Sequence, residues 1–286
     1  MSTAEAIFLA GLLACILALL AAKVQGGVQR LFRRWPKLVA ILPVALTAVF
    51  AAAERLAGTL SVPLTLLVLL YTALPVVLVA LRQRALAILV LWLPIEFAAG
   101  ASLVPIAARG FLHSAAYGIA ILLGLLLFLG YAGFAGMKYN LPRSPRDLWL
   151  PLAAFAVTAP LLIVVGIAIG FIPPPHWPVQ SGGRMALAAG LIFAGTALPE
   201  EILFRALIQN LMMQRFGENT RTLLAASLIF GAAHLDNGPQ PLPNWRYMIL
   251  ATIAGVAYGK VFQKASSVTS SAILHAMVDW TKHIFF

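Results

Sequence analysis

The stretch VPLTLLVLLYTALPVVLVAL, residues 62–81, carries no charged side chain. A helix rises about 1.5 Å per residue, so about 20 apolar residues are enough to cross the hydrocarbon core of a bilayer. Inside lipid the backbone must satisfy its own hydrogen bonds, which favours a helix for such a segment. The stretch therefore predicts a transmembrane helix.

Similar apolar stretches recur along all 286 residues. Hydrophobic residues make up 62% of the chain and charged residues 10%, whereas a soluble domain has about 25% charged residues. The sequence predicts an all-α fold, a polytopic transmembrane helical bundle of about eight to ten spans. The ten candidate spans are 5–22, 38–53, 62–81, 85–105, 114–136, 149–172, 185–204, 222–236, 246–262 and 267–284.

The net charge of +11 does not indicate nucleic-acid binding, because the cations lie between apolar spans and not on a polar face. We expect them to meet the lipid bilayer and to set orientation, since basic loops of membrane proteins remain in the cytoplasm. Odd-numbered loops hold 14 of the 20 Lys and Arg residues, and we therefore predict that these loops are cytoplasmic. The 14 are Lys23, Arg30, Arg33, Arg34, Lys37, Arg82, Arg84, Lys138, Arg143, Arg146, Arg215, Arg221, Lys260 and Lys264.

The chain is predicted to divide at a linker with two prolines and three charges, residues 140–147. Residues 1–140 form a transmembrane region of unknown role, with Glu96 as an isolated intramembrane acid. Residues 148–286 hold the other unusual polar groups. The single cysteine, Cys15, excludes an intrachain disulfide.

One polar cluster is the segment PEEILFR, residues 199–205, which interrupts apolar sequence. We predict one helix over about 184–214. Glu201 and Arg205 are four residues apart and share a face in the order that favours an ion pair. Glu200 points about 100° away, so it has different neighbours. The cluster alone is equally compatible with a structural ion pair.

Two histidines follow in later spans. His234 comes after small residues, which allow a neighbouring helix to approach closely. His275 and Asp279 are four apart on one face of the last helix. A carboxylate there can orient an imidazole, or both groups can ligate a metal. Charged groups inside a bilayer cost a few kcal/mol each, so such groups generally face a functional interior.

These residues together indicate hydrolysis. A glutamate and a histidine can activate a water molecule, and a further polar group can stabilise the oxyanion. Glu200, His234, His275 and Asp279 could also bind Zn²⁺, which would acidify that water. The sequence leaves both mechanisms open, with and without a metal ion.

The order Glu-Glu-x-x-x-Arg, Phe-x-x-x-His, His-x-x-x-Asp resembles the CPBP intramembrane proteases, the CAAX-protease-like or Abi group. The matching residues are Glu200, Glu201, Arg205, Phe230, His234, His275 and Asp279. The resemblance implies an intramembrane peptidase domain over 148–286, with a site that opens toward the cytoplasm and a membrane protein or peptide as substrate. Some members remove the last three residues of prenylated CAAX proteins; bacterial members are linked to bacteriocin processing and immunity.

The resemblance also implies residue roles. Glu200 and His234 correspond to the pair that activates water, and His275 and Asp279 to the pair on the oxyanion side. Glu201 and Arg205 match supporting positions. The CAAX-cleaving members typically have Asn where this chain has Asp279, and an ionised Asp cannot donate a hydrogen bond to an oxyanion.

We therefore expect a multi-pass intramembrane endopeptidase in a bacterial plasma (inner) membrane, either a metalloprotease or a glutamate-dependent protease. One alternative is a non-catalytic scaffold or bacteriocin-immunity-type protein. Another is a transporter, since intramembrane acids and histidines also relay protons. Broken helices paired between the two halves, which are typical of many transporters, are not evident.

Overall fold

The computed structural model describes residues 1–96, 110–238 and 241–286, and these form helices and loops without a β-strand among them. The all-α prediction is thus confirmed for the described part. Glu96 ends a helix next to the first gap, and Arg109 lies outside the described residues. The helices are α1 (Thr3–Ala18), α2 (Ala22–Arg34), α3 (Leu42–Leu56), α4 (Val62–Ala80), α5 (Arg84–Glu96), α6 (Phe111–Tyr131), α7 (Arg146–Ala168), α8 (Gly182–Phe216), α9 (Thr220–Ala232), α10 (Trp245–Lys264) and α11 (Val268–Phe285).

In the described part, fewer helices than the predicted eight to ten qualify as candidate spans by length and apolar composition. In the described part, five helices are long and apolar enough to cross a bilayer, namely α3 with its preceding 3₁₀ turn, α4, α6, α7 and α8. The number becomes six if α1 and α2, which meet at 85°, form one broken span. Helices α5 and α9 are apolar but short, so the predicted count is not confirmed.

The chain folds as two compact units, Met1–Ala135 and Gly136–Phe286. In the first unit, α3 packs against α4 and α6, and α1 also packs against α6. Glu54 at the end of α3 is fully buried and accepts hydrogen bonds from Ser61 N (3.3 Å) and Thr65 Oγ1 (2.7 Å). A buried carboxylate is thereby satisfied by the start of the next helix.

The second unit begins twelve residues before the predicted peptidase domain, so the whole predicted linker, 140–147, lies within it. Lys138 donates through Nζ to the carbonyl oxygens of Phe262 (2.8 Å), Gln263 (3.1 Å) and Ala265 (3.0 Å), which end α10. Burial lowers the pKa of the Lys138 ammonium. This cation satisfies carbonyl groups that the end of a helix leaves without partners.

A carboxylate also holds this turn. Asp147 accepts hydrogen bonds from Ser266 N (2.7 Å) and Ser266 Oγ (2.6 Å), and also from Arg143 N (2.9 Å) and Ser144 N (3.1 Å). Residues 136–147 therefore form a strap that fixes the turn between α10 and α11. That turn positions the last helix, which carries His275 and Asp279.

Turn and cap residues set the ends of the remaining helices in this unit. Gly217 has a φ of 84° just after α8, a conformation that glycine adopts without strain. Asn219 then caps α9 by accepting from Thr222 N at 3.0 Å, and Asn244 caps α10 by accepting from Tyr247 N at 3.0 Å. These signals are local in sequence, and they fix where α8 ends and where α9 and α10 begin.

Helices α9 and α10 pack closely through small residues. A Cβ atom at Gly231 would lie 2.7 Å from the Met248 carbonyl oxygen and would collide with Thr252. One at Gly255 would lie 3.1 Å from Phe230 Cδ1. The predicted close approach of a neighbouring helix before His234 is confirmed.

Candidate active site

The acidic segment lies in the middle of α8, where the helix is irregular. Two π-helical stretches, Phe193–Ala197 and Ile202–Gln209, flank the α-helical turn Leu198–Glu201. The predicted single helix over 184–214 is confirmed within Gly182–Phe216. π-Helical turns widen the helix locally and are frequent at functional sites.

Glu201 and Arg205 form a buried ion pair. Arg205 Nε lies 3.1 Å from Glu201 Oε2, and both side chains are fully shielded from solvent. The Arg205 guanidinium carbon lies 4.7 Å from the ring centre of Phe230 and 5.9 Å from that of Tyr258. The aromatic faces add cation–π attraction to the ion pair, so this cation is held inside the protein by one carboxylate and two rings.

His275 contacts three carboxylates from two helices. Its Nδ1 lies 3.1 Å from Glu201 Oε1, while its Nε2 lies 3.4 Å from Asp279 Oδ2 and 3.8 Å from Glu200 Oε2. Carboxylates only accept hydrogen bonds, so contacts at both nitrogens are satisfied together when both carry protons. His275 is 3% exposed, and this network connects α8 to α11.

Two residues that the sequence did not single out complete this network. The Ser271 hydroxyl donates to Glu201 Oε2, and the Tyr258 ring stacks on the His275 ring at 4.5 Å and 19°. Ser271 precedes His275 by four residues, as His275 precedes Asp279, so an i,i+4 search on this helix face would have found it. No local pattern indicates Tyr258, because it reaches the site through helix packing.

His234 lies just beyond the end of α9 and is held differently. Its Nδ1 lies 2.9 Å from the Phe230 carbonyl oxygen. A carbonyl can only accept, so Nδ1 carries a proton and Nε2 of the neutral ring is the basic nitrogen. Within the described residues, no carboxylate oxygen lies within 4.0 Å of a His234 ring nitrogen, whereas His275 has three.

Glu200 is the acid that remains without a full set of partners. Its Oε2 is a buried oxygen with no hydrogen-bond partner among the described residues, and its nearest histidine nitrogen is His275 Nε2 at 3.8 Å. A buried carboxylate oxygen without a hydrogen bond is costly. It is therefore a position at which a water molecule or a substrate group would be stabilised.

An apolar pocket adjoins the cluster inside the second unit. The space not filled by atoms in this pocket is about 650 Å³, part of it open to solvent. His234, His275 and Asp279 lie in its wall, and Glu200 does not. The rest of the lining is mainly apolar and aromatic, including Leu162, Phe171, Phe230, Tyr247, Leu250 and Tyr258.

The six predicted site residues thus lie in one unit, on or next to α8, α9 and α11. His275 contacts Glu200, Glu201 and Asp279 directly, and the pocket joins His234 to His275 and Asp279. A direct contact between His234 and Glu200 is not formed within 4.0 Å in the described structure. If Glu200 and His234 activate water together, as predicted, a group must therefore bridge them.

The side chains do not converge as a metal site. Among the described residues, no three or more His, Cys, Asp or Glu side chains are placed to hold one metal ion. His275 Nε2 contacts two carboxylates directly, and His234 lies apart from those carboxylates. The donor atoms are therefore not directed at one point. A zinc ion at Glu200, His234, His275 and Asp279 stays a prediction, and it requires these side chains to rearrange.

Residues 182–281 match the family model for type II CAAX prenyl endopeptidase Rce1-like proteins. This part of the chain is Rce1-like. The matched region starts with α8 and ends within α11, so it contains all six predicted site residues. The predicted resemblance to the CPBP, or CAAX-protease-like, family is confirmed. No curated protein and no solved structure matches the chain.

The Rce1-like match and the apolar helices together support a coarse assignment. The apolar helices support an integral membrane protein that lies in a lipid bilayer, and residues 182–281 are similar to a protease family. The bacterial plasma membrane stays a prediction.

Proposed function

We propose that this Rce1-like chain is an intramembrane endopeptidase that hydrolyses a peptide bond of a membrane-associated protein or peptide. The main support is Glu200, a buried carboxylate whose Oε2 lacks a hydrogen bond within the described residues and lies 3.8 Å from His275 Nε2. It lies next to a pocket whose wall contains a second histidine with a basic nitrogen. An acid and a base around a space for water are the elements of general acid–base hydrolysis.

In the proposed reaction, a water molecule bridges Glu200 and His234. The water oxygen attacks the peptide carbonyl carbon while one water proton moves to Glu200 or His234. The carbonyl becomes an oxyanion, which His275 stabilises by donating from Nε2. As the C–N bond breaks, the proton passes to the leaving nitrogen, and the products are a carboxylic acid and an amine.

The supporting residues have separate roles in this proposal. Glu201 accepts from His275 Nδ1 and from Ser271, and Arg205 neutralises its charge. These contacts hold the imidazole with Nε2 directed toward Glu200 and Asp279. Such positioning lowers the reorganisation needed in the transition state.

The pocket favours an apolar substrate segment. Its wall is formed largely by aliphatic and aromatic side chains, and burial of apolar surface contributes roughly 25 cal/mol per Å². We therefore expect an apolar stretch of the substrate to bind there, with the scissile bond beside His234 and His275.

The test is comparative proteomics of membranes from cells with the active protein or with Glu200→Ala. We expect at least one membrane protein to stay unprocessed in the variant, because general-base catalysis contributes about 10²- to 10⁴-fold. The control is Glu218→Ala, which removes an exposed acid outside the site. Identical processing with Glu200→Ala, at equal protein levels, would favour the scaffold alternative.

Metal dependence is measured separately on purified protein. We expect cleavage to persist after chelation, because the cluster pairs its histidine with carboxylates and its described side chains do not direct three donors to one point. Elemental analysis accompanies the assay. Loss of activity on chelation and its recovery with Zn²⁺ would instead support the metalloprotease.

A further inference from the structure

Helix α2, Ala22–Arg34, is short and carries four cations and no acid. Its 13 residues extend about 20 Å, which is less than the roughly 30 Å of hydrocarbon in a bilayer. Charged side chains are costly inside hydrocarbon, and α2 leaves α1 at 85°. The length, charge and direction of α2 therefore favour a helix that lies along the membrane surface.

One face of α2 is fixed to the ends of two apolar helices of the first unit. Gln25 Nε2 donates to the carbonyl oxygen of Leu19, the residue after α1, at 2.6 Å. Gln29 Nε2 donates to the carbonyl oxygen of Leu129, in the last turns of α6, at 3.1 Å. The last carbonyl groups of a helix lack partners within it, so these two glutamines satisfy groups that the helix ends leave free.

Apolar contacts hold the same face of α2 against α6. The ring centres of Phe32 and Tyr131 are 5.8 Å apart. A Cβ atom at Gly130 would lie 2.8 Å from Val28 Cγ1, so the two helices meet closely at this point. Because α6 is a candidate membrane span, a helix that packs across its end lies where the bilayer meets water.

The opposite face of α2 is cationic. Lys23, Arg30 and Arg34 are seven and four residues apart, so they follow one line along the side that points away from α6. Arg33 lies beside this line, and all four side chains are exposed. None of them forms a salt bridge with a described residue, and residues 6–53 contain no Asp or Glu. These cations therefore lack a counter-charge from their own segment.

Exposed apolar side chains border the cations. Val24 is 39% exposed and Leu31 is 49% exposed, and both lie about 100° around the helix from Lys23. Trp35, which follows α2, is 56% exposed, and the Arg34 guanidinium carbon lies 5.7 Å from its ring centre. Tryptophan is enriched where membranes meet water. Cations beside exposed apolar residues are typical of a helix that lies in this interface.

We propose that α2 is an interfacial helix whose outer face binds the phosphate groups of anionic phospholipids. Cations without neighbouring acids have the complementary charge, and anionic headgroups attract basic segments at the membrane surface. Three of the four are arginines, whose guanidinium groups bind phosphate through paired hydrogen bonds. The ligand is a lipid and not a soluble anion, because acyl chains would also cover Val24 and Leu31.

This lipid contact is separate from the proposed peptidase activity. Helix α2 belongs to the first unit, whereas the Rce1-like match covers residues 182–281. Either proposal can therefore hold when the other fails.

The test is fluorescence quenching at one site of the full chain in vesicles made of equal parts of phosphatidylglycerol and phosphatidylcholine. Cys15 is replaced by serine, and a fluorophore is attached at Leu31→Cys. A nitroxide quencher is carried near the headgroup of either the anionic or the zwitterionic lipid. The reference site is Leu66→Cys on α4, a position that is 59% exposed in the same unit.

We expect phosphatidylglycerol to quench the label at position 31 about twofold more than phosphatidylcholine does, because basic groups concentrate anionic lipid around them. The reference site should show no preference. The preference should disappear in the triple variant Arg30→Gln, Arg33→Gln and Arg34→Gln. It should persist in a matched triple variant that removes three exposed cations of the second unit, Arg215→Gln, Arg221→Gln and Lys260→Gln.

Equal quenching by the two lipids at position 31 would overturn the proposal and would favour an acidic protein segment as the partner of this face. A preference that survives the triple variant on α2 would also overturn it. So would loss of the preference on addition of inorganic phosphate, compared with chloride at the same ionic strength, because that result indicates a site for soluble anions. Thermal unfolding and size-exclusion chromatography show that each variant is folded.

Discussion

Asp279 contacts His275 through one long polar contact, with Oδ2 at 3.4 Å from Nε2, and it lies in the pocket wall. A carboxylate in this position can orient the imidazole but cannot donate to an oxyanion. An amide can do both, because its oxygen accepts and its NH₂ donates. His275 also contacts Glu201 at 3.1 Å and Glu200 at 3.8 Å, so a neutral replacement of Asp279 does not leave the buried imidazole without a carboxylate.

We predict that Asp279→Asn keeps the cleavage rate within about tenfold of the unmodified protein. Asp279→Ala should lower the cleavage rate about 100-fold, which is the order of magnitude for the loss of one oxyanion or positioning contact. Initial cleavage rates at matched protein levels measure both. Equal losses in the two variants would show that the negative charge itself is required, as a metal ligand or a counter-charge would need.

Arg205 is a buried cation whose nearest carboxylate is Glu201 at 3.1 Å. We predict that Arg205→Met lowers the free energy of unfolding by about 3–5 kcal/mol, because it leaves a buried carboxylate without its counter-charge. Thermal unfolding in detergent measures the loss. Arg215→Met, at an exposed position of the same helix, is the control and should change stability little.

A second variant separates charge from packing. The double variant Glu201→Gln with Arg205→Met removes both charges, and we expect it to be more stable than Arg205→Met alone. It should still cleave poorly, because an amide in place of the Glu201 carboxylate offers His275 Nδ1 only a neutral acceptor. A double variant no more stable than the single one would assign the loss to packing around Phe230.

At the scale of elements, the α9–α10 contact determines where His234 lies. A methyl group at Gly231 would meet both a Thr252 side chain and the Met248 backbone, so side-chain rotation alone cannot relieve it. We predict that Gly231→Ala destabilises the protein by about 1–3 kcal/mol through overpacking and lowers cleavage, since His234 is three residues away. Gly190→Ala, with nothing within 4 Å of the new atom, is the matched control.

Element-level features of the sequence predicted α8 and the Glu201–Arg205 pair well, because i,i+4 spacing is a property of one helix. The same holds for Ser271, which that spacing would have identified. Tyr258 and the link between Glu200 and His275 depend on how α8, α10 and α11 pack, and this information is not local. The absence of a direct Glu200–His234 contact in the described structure has the same cause.

The span count shows a second limit of prediction from sequence. Hydropathy detects apolar composition, and buried helices share that composition with lipid-facing ones. Helix α9 is apolar but only 13 residues long, and α1 and α2 meet at 85°. Composition could not reveal the bend near residues 19–21 or show that several short helices lie against others.

At the scale of the whole molecule, the boundary between the two units lies at residues 135–136, ahead of the predicted linker. The strap residues Lys138 and Asp147 hold the turn that precedes α11, the helix that carries His275. Sequence composition identified a polar, proline-containing segment here but not its contacts, since those join positions more than 100 residues apart. The strap is part of the second unit.

This boundary gives the last prediction. Insertion of Gly-Ser-Gly-Ser between Ala135 and Gly136 should lower the free energy of unfolding by less than about 1 kcal/mol, because lengthening a connection adds little closure entropy.

Asp147→Asn should lower the free energy of unfolding by about 2–3 kcal/mol, because a charged acceptor of several hydrogen bonds is lost. It should also slow cleavage by disturbing α11. The control for the lost negative charge is Glu218→Gln, at an exposed acid in the turn between α8 and α9. Thermal unfolding and cleavage rates are measured on all three full-length variants. An insertion as damaging as Asp147→Asn would mean that the second unit begins before Gly136.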